Sequence, residues 1–394
     1  MTDEVPNQAT ETAKPSGRWR RRIGVCLIAV AAVLLVLKTA EHFLTHNAGR
    51  TLAAIDAARA VPDSENAAVI YRQLLQDYGK TDLPWHREEN ISWDVTLHKP
   101  WQSRDYPELA AWLAQQNDLL AKLRQACTFE KCWFPLGSLT NLTQIAAQID
   151  SRMTVLSAVR GWAQLLVCAA NNDIAEGRVD AATDKFLCVL KMGRHFCRQG
   201  LMIDYLVGIA VEAIGLAGIR EFVVEHAPTE NQLKQFEDAV LQQKDQWRSD
   251  FESAAEVEIL LEKSQGLPLR FGLWLQRLRS PVADAVKHIE KTALRSQSVR
   301  QGTVILIALR RFRDKTGRWP ESLEQIKDLV GQEILTDPVN DSSFVYKLTE
   351  TGFTLYSTGP NKIDDGGVRG DDKDDQLIWP PPYRMTQKEK ANVE

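Results

Sequence analysis

Cysteine is scarce in this chain, with six in 394 residues, too few to hold a fold together through disulfide bonds alone. An excess of one charge sign is also lacking, because 48 basic and 52 acidic residues leave a formal net charge of −4. We therefore expect no nucleic-acid partner, since nothing in the overall charge attracts a phosphate backbone. The proportions of charged residues (25%) and hydrophobic residues (44%) are those of a folded globular protein.

Complete catalytic and metal signatures are lacking as well. The sequence has no Gly-x-Ser-x-Gly, no His-Glu-x-x-His and no Cys-x-x-Cys. Gly79-Lys80-Thr81 matches the end of a phosphate-binding loop, but Leu74 stands where its first glycine belongs. The sequence therefore assigns no catalytic residue and no organic cofactor.

A long uncharged run occurs at the N-terminus, where Ile23–Leu37 covers 15 residues. A transmembrane helix usually needs about 20 residues, and residues 38–44 complete the span if Lys38 extends to the membrane surface. Four arginines within residues 18–22 precede the run, which places the N-terminus in the cytoplasm. The alternative is a cleaved signal peptide, but cleavage after Ala40 would put Lys38 where a small residue is required.

These features predict a topology and a location. Residues 1–22 form a disordered basic cytoplasmic tail, and residues 23–44 form a single membrane anchor. Residues from about 45 onward then lie outside the cytoplasm, so we expect an inner-membrane protein with a periplasmic bulk.

Residues 45–297 are predicted to form an exported helical domain of hairpin-like helices. Apolar residues recur at helical spacing along most of this segment. Gly177 ends one long helix, and Ala182 and Phe186 follow at positions where two helices pack closely, as in helical-repeat proteins. Thr229 and Gln232 have the spacing of a capping box that opens a further helix.

Tryptophans are concentrated in residues 85–133, at Trp85, Trp93, Trp101, Trp112 and Trp133. Exposed tryptophans can stack on sugars, so one interpretation is a glycan-binding protein or an enzyme acting on cell-wall glycan. The other interpretation is that these side chains pin an irregular segment onto the helices, which the amphipathic character of tryptophan favours.

Cys127 and Cys132 lie in the sequence Cys-Thr-Phe-Glu-Lys-Cys. In an exported protein this spacing permits a local disulfide, provided that the backbone turns between them. Cys168, Cys188 and Cys197 are expected to be buried thiols without such a role.

The helical period is replaced by strand patterns near the C-terminus. Residues 344–348 and 353–357 are short aromatic and β-branched runs around the Thr351-Gly352 turn, which predicts a β-hairpin. Residues 298–379 are therefore expected to form a small α/β module, followed by a disordered tail at residues 380–394. A series of motifs accompanies the hairpin: Trp319-Pro320, Asp337-Pro338, Asp364-Asp365-Gly366-Gly367 and Trp379.

This order of motifs resembles the C-terminal domain of the major pseudopilin of type II secretion systems. The resemblance implies that the acidic loop binds calcium, with Asn361, Asp372, Asp374 and Asp375 and carbonyl groups near Ser357 as the oxygen ligands. The alternative is a solvated acidic loop without a metal. The whole chain is also similar to a group of uncharacterised bacterial single-pass membrane-anchored proteins, through Glu65-Asn66-Ala67-Ala68 and the following Tyr71.

We therefore expect a mainly α protein with an N-terminal transmembrane helix, a helical-hairpin body and a C-terminal α/β module. The expected function is that of a non-catalytic interaction or structural module of the cell envelope. Its expected partners are the membrane and other envelope proteins.

Overall fold

The computed structural model describes Lys38 and residues 46–79, 93–136, 142–242, 244, 246–264, 282–350, 352–368 and 374–381. The predicted tail at 1–22, the predicted anchor at 23–44 (apart from Lys38) and residues 382–394 lie outside the described residues.

Helices make up most of the described chain, as the apolar spacing predicts. The first, α1, covers residues 46–59. The others are α2 Ala67–Tyr78, α3 Trp93–His98, α4 Pro107–Gln115, α5 Asn117–Thr128, α6 Leu142–Ala175, α7 Val179–Cys197, α8 Met202–Glu225, α9 Glu230–Leu241, α10 Trp247–Ser264, α11 Val282–Thr316, α12 Lys327–Val330 and α13 Gln332–Leu335. Two 3₁₀ turns, Asp63–Glu65 and Leu323–Ile326, precede α2 and α12.

The centre of the body is the antiparallel succession α6, α7 and α8. Gly177 lies between α6 and α7 at φ +78°, a backbone conformation that glycine adopts without steric cost. Ala182 and Phe186 are fully buried on α7. Gly218 of α8 lies against the Phe186 ring, so that even a Cβ at this position would collide with it. Small residues therefore let these helices approach closely, as the sequence suggests.

Among the described residues, two long apolar helical segments are core helices. Arg152–Ala175 within α6 and Met202–Glu225 are long and apolar enough to cross a membrane by length and composition. However, 67% and 61% of the residues in the most apolar 18-residue stretch of each segment are buried within the body. Two buried acids of α8 are paired there, because Asp204 accepts hydrogen bonds from Arg152 and Glu212 accepts hydrogen bonds from Arg300 on α11. A buried ionised group needs such a partner.

Helix α9 begins with the capping box that the sequence predicts. The Thr229 hydroxyl accepts a hydrogen bond from the Gln232 backbone N–H at 3.3 Å, and the Gln232 side chain accepts one from the Thr229 N–H at 2.9 Å. Helix α2 begins after Asn66, which is its N-cap and accepts from the Ala68 N–H at 3.1 Å.

A small antiparallel sheet lies near the C-terminus, with strands β1 Val345–Leu348, β2 Phe353–Ser357 and β3 Gln376–Trp379 in the order β1-β2-β3. The predicted hairpin is confirmed, since Val345 pairs with Tyr356 and Leu348 pairs with Phe353. The third strand is an addition to the prediction. It pairs with β2 through a register shift between Leu355 and Tyr356, an irregularity that bends the strand.

Helix α11 packs against both the helical body and the sheet. Its middle residues, from Val304 to Leu309, are buried in the same apolar core as Phe186 of α7 and Leu355 of β2. The boundary predicted between residues 297 and 298 lies inside this helix. The face of the sheet that packs on α11 therefore belongs to the same apolar core as the helical body.

Candidate metal centre and the clefts of the helical body

The acidic loop after β2 is held in place by the Asp337-Pro338 turn. Asp337 is fully buried and accepts hydrogen bonds from the Ser357 hydroxyl and from the Val339 N–H. Asn340, in the same turn, donates through its amide to the Thr358 hydroxyl at 2.9 Å and to the Gly359 carbonyl at 2.8 Å. The Asp-Pro motif therefore fixes the corner from which the acidic loop departs.

Three carboxylates converge beyond this corner. One oxygen from each of Asp365, Asp374 and Asp375 lies within 4.8 Å of the others. Asp375 is 1% exposed, and its Oδ2 accepts hydrogen bonds from the Asp365 and Gly367 backbone N–H groups at 3.0 and 2.7 Å. The β3 strand thus places Asp375 beneath the loop, and the Asp364–Gly367 turn closes over it.

The donor set fits a hard cation. Asp365 Oδ2, Asp374 Oδ1 and Asp375 Oδ1 are buried and have no hydrogen-bond partner among the described residues. Buried carboxylate oxygens are normally paired, so each unpaired one needs a compensating charge or donor. Burial raises the pKa of Asp375, and the neighbouring Asp365 and Asp364 carboxylates raise it further. Calcium prefers oxygen ligands of this kind and would offset the repulsion between the carboxylates.

The predicted ligand residues have different outcomes in the structure. Asp374 and Asp375 are in the cluster, while Asp372 lies outside the described residues. Asn361 is exposed, and its side-chain oxygen accepts from the Ile363 N–H at 2.7 Å, whereas its backbone N–H donates to Asp374. Asp365 was not among the predicted ligands, although the Asp-Asp-Gly-Gly motif contains it.

Asp364, the neighbour of Asp365, faces the sheet instead. It accepts from the Tyr356 hydroxyl at 2.6 Å and from the Lys347 ammonium at 3.0 Å. The Tyr356 hydrogen bond is the main reason that the pKa of Asp364 is lowered. This contact holds the start of the turn against β1 and β2.

The predicted disulfide between Cys127 and Cys132 is wrong, because Cys127 has a different partner in the structure. Cys127 is bonded to Cys188, with the two Cα atoms 5.4 Å apart, and Cys132 is a buried free thiol. The end of α5 packs on α7, which brings Cys127 to Cys188 although 61 residues separate them. Cys188 is therefore not the inert thiol expected from its apolar surroundings. Both cysteines line a groove of about 510 Å³, and Arg124, Lys191 and Arg194 are among its other lining residues.

Of the tryptophans in residues 85–133 whose side chains the structure describes, Trp101 and Trp133 are buried in the core and Trp112 is half-buried against it. Trp101 and Trp133 are 2% and 3% exposed. The Trp101 indole N–H donates to the Cys168 carbonyl at 3.1 Å, and that of Trp133 donates to Asp56 at 2.8 Å. These two rings offer no open face to a sugar. Trp85 lies outside the described residues, as does the side chain of Trp93.

A second cleft, of about 290 Å³, lies where α1, α7 and α10 meet, and Arg59, His195 and Asp250 are among its lining residues. Burial lowers the pKa of His195 to about 4 and raises the pKa of Asp250 to about 6. Arg59 is held by Ser253 and stacks over the Trp133 ring at 5.2 Å. These contacts of Arg59 join the end of α1 to α10 and to the segment that carries Trp133.

Comparison with protein-family models, curated proteins and solved structures finds no match for this chain. The assignment of function therefore rests on the sequence patterns and on the carboxylate cluster.

Proposed function

We propose that this chain is a single-pass inner-membrane protein with a cytoplasmic N-terminus and a periplasmic bulk. In this proposal it is a non-catalytic structural or protein-binding module of the envelope, and calcium orders its C-terminal end. The observation that carries the proposal is the convergence of Asp365, Asp374 and Asp375 with an unpaired buried oxygen on each.

The resemblance to the pseudopilin domain supports the same proposal. In that family the loop after the hairpin binds calcium, and here the equivalent loop follows β2 and returns through β3 to Trp379. A cation at this loop would fix the position of β3, because Asp374 and Asp375 directly precede that strand. Calcium would thus act on the fold of the module rather than on a substrate.

Thermal unfolding of the full chain in detergent, with millimolar calcium or with a chelator, tests the metal site. We expect calcium to raise the unfolding temperature, because a ligand that binds only the native state stabilises it. Asp375→Asn should abolish this rise, whereas Asp328→Asn, which removes a charge from α12, should leave it intact. If the unsubstituted chain unfolds at the same temperature with and without calcium, the metal assignment is wrong.

The location is tested by reporter fusions at two points. A reporter that is active only outside the cytoplasm should work when it is fused after Ala60 and fail when it is fused after Arg22. Activity of a cytoplasm-specific reporter after Ala60 would contradict the proposed topology.

A further inference from the structure

Helix α5 is joined to α7 by more than the disulfide. Three contacts follow in the same order along both segments: Arg124 with Asp184, Cys127 with Cys188, and Glu130 with Lys191. The two segments therefore lie parallel, with an ion pair on either side of the disulfide. Leu119, Leu123 and Ala126 of α5 are also fully buried in the core. Because these contacts hold α5 as well, reduction of the bond should leave the two cysteines next to each other.

The disulfide opens onto the groove of about 510 Å³ that both cysteines line. Cys127 is half-buried, whereas Cys188 is 4% exposed. A molecule that enters the groove therefore meets Cys127 first. The volume of the groove is that of a small-molecule site, so a small thiol has room to reach the bond.

The lining of this groove has an excess of positive charge. Its described charged residues are three cations and one acid: Arg124, Lys191, Arg194 and Asp184. The acid is paired with Arg124, and both side chains of this pair are about half exposed. Glu130, the partner of Lys191, has a side chain that is 71% exposed. Water and salt weaken such exposed ion pairs, so the groove should attract anions.

Arg194 is a buried cation whose hydrogen bonds run to neutral groups. It is 5% exposed, and it donates to the Gln242 amide oxygen and to the Ala239 carbonyl. Its Nε is buried and has no hydrogen-bond partner among the described residues. Burial of a cation is costly unless an opposite charge lies near, so an anion in the groove would stabilise Arg194.

Each cysteine of the disulfide has a cation three residues away on its own helix. Arg124 precedes Cys127 on α5, and Lys191 follows Cys188 on α7. Residues at this spacing are neighbours on one helix face, and all four line the groove. A cation beside a cysteine stabilises its thiolate and so makes it a better leaving group in thiol–disulfide exchange.

We propose that the Cys127–Cys188 bond is a thiol-exchange site, which small thiols that carry a carboxylate group reduce while the fold remains intact. A thiolate attacks Sγ of Cys127, forms a mixed disulfide with it and releases Cys188 as a thiolate. A second thiolate attacks the sulfur of the first thiol, releases Cys127 as a thiolate and departs as the oxidised dimer.

This exchange is balanced, because two thiols become one small disulfide while one protein disulfide becomes two cysteine thiols. Two electrons pass from the small thiols to the two cysteines, and each cysteine takes up the proton that one attacking thiol gave up. The site depends on neither the proposed membrane anchor nor the proposed calcium site.

The test compares how fast three small thiols reduce the bond in the full chain in a non-ionic detergent. The thiols are mercaptoacetate, which is anionic, mercaptoethanol, which is neutral, and cysteamine, which is cationic. Each rate is measured at equal thiolate concentration and divided by the rate at which the same thiol reduces a neutral model disulfide. Acid quenching, alkylation and mass spectrometry follow Cys127 and Cys188, and circular dichroism follows the fold.

We expect the normalised rate with mercaptoacetate to exceed that with cysteamine by at least about tenfold at low salt, because a positively charged cleft concentrates anions. Added salt should reduce this preference. Lys191→Gln and Arg124→Gln should each reduce it several-fold. Lys327→Gln, which removes the same charge at an exposed position of α12, is the matched control and should keep the full preference.

Three results would overturn the exchange site. The first is equal normalised rates for the three thiols. The second is reduction that proceeds only as the circular dichroism signal is lost, which would show that the bond opens by unfolding and is purely structural. The third is an unchanged preference in both Lys191→Gln and Arg124→Gln, since the charges of the groove would then not cause it.

Discussion

The Tyr71 hydroxyl lies 3.0 Å from Nδ1 of His195, and Nε2 of the same ring lies 3.0 Å from the Phe129 carbonyl oxygen. Since the carbonyl only accepts, Nε2 carries the proton and Nδ1 accepts from Tyr71. His195 is 2% exposed and therefore sits in the core as a neutral ring that joins α2, α7 and the end of α5.

This arrangement predicts a pH dependence of stability. Burial lowers the pKa of His195 to about 4, against about 6.5 for an unfolded chain. Between these values the unfolded state binds the proton more tightly, so His195 makes the native state less stable as pH falls, by at most about 1.4 kcal/mol per unit. Asp250 makes the native state more stable as pH falls, because burial raises its pKa to about 6. The native state therefore holds the Asp250 proton more tightly than the unfolded state does.

As pH falls from 6.5 to 5, we expect Asp250→Asn to lose stability more steeply than the unsubstituted chain. We expect His195→Gln to lose stability less steeply than the unsubstituted chain over the same range. Urea unfolding of the full chain at several pH values measures these slopes. His288→Gln, at an exposed position of α11, is the control and should keep the original slope. Identical slopes for all four proteins would show that neither group titrates with folding.

The second prediction concerns the bond between Cys127 and Cys188. A cross-link closing a loop of this length stabilises a protein by about 4 kcal/mol in the chain-entropy model. Cys188→Ser should therefore lower the unfolding temperature and make it insensitive to a reducing agent. Cys132→Ser should remain sensitive to reduction, because Cys132 is a free thiol. The reverse result would restore the local Cys127–Cys132 pairing.

Local signals in the sequence predicted local structure well. The Thr229 capping box, the Gly177 helix end and the hairpin before Ser357 each depend on residues a few positions apart, and each is present. The Cys127–Cys188 bond depends on how α5 packs against α7, which the spacing of cysteines does not encode. The third strand was missed because Gln376–Trp379 is short and gains its strand conformation from pairing with β2.

The candidate metal site likewise combines residues that the sequence predicts with one that only the fold brings to the site. Asp374 and Asp375 were predicted because the resemblance aligned them with a known loop. Asp365 lies about ten residues earlier and joins them only because its backbone N–H bonds to Asp375. Sequence can count the carboxylates of a loop, but their convergence is a property of the folded backbone.

The third prediction tests whether that convergence binds calcium. Gly359 has φ +63°, and a Cβ at this position would collide with the Asp374 carboxylate and carbonyl. Gly359→Ala should therefore displace Asp374 from the cluster and add backbone strain, which costs roughly 1–2 kcal/mol for a left-handed residue. We expect the affinity for calcium, measured by calorimetry on the full chain, to fall at least about tenfold, corresponding to about 1.4 kcal/mol.

Gly352→Ala provides the matched control, because a Cβ at Gly352 meets no atom within 4 Å. This variant should bind calcium as the unsubstituted chain does, since Gly352 lies in the β1–β2 turn, away from the carboxylates. Two other results would be informative. If Gly359→Ala keeps the original affinity, Asp374 is not a ligand. If both variants lose affinity equally, the effect comes from general loosening of the sheet, and the cluster of Asp365, Asp374 and Asp375 would no longer explain the binding.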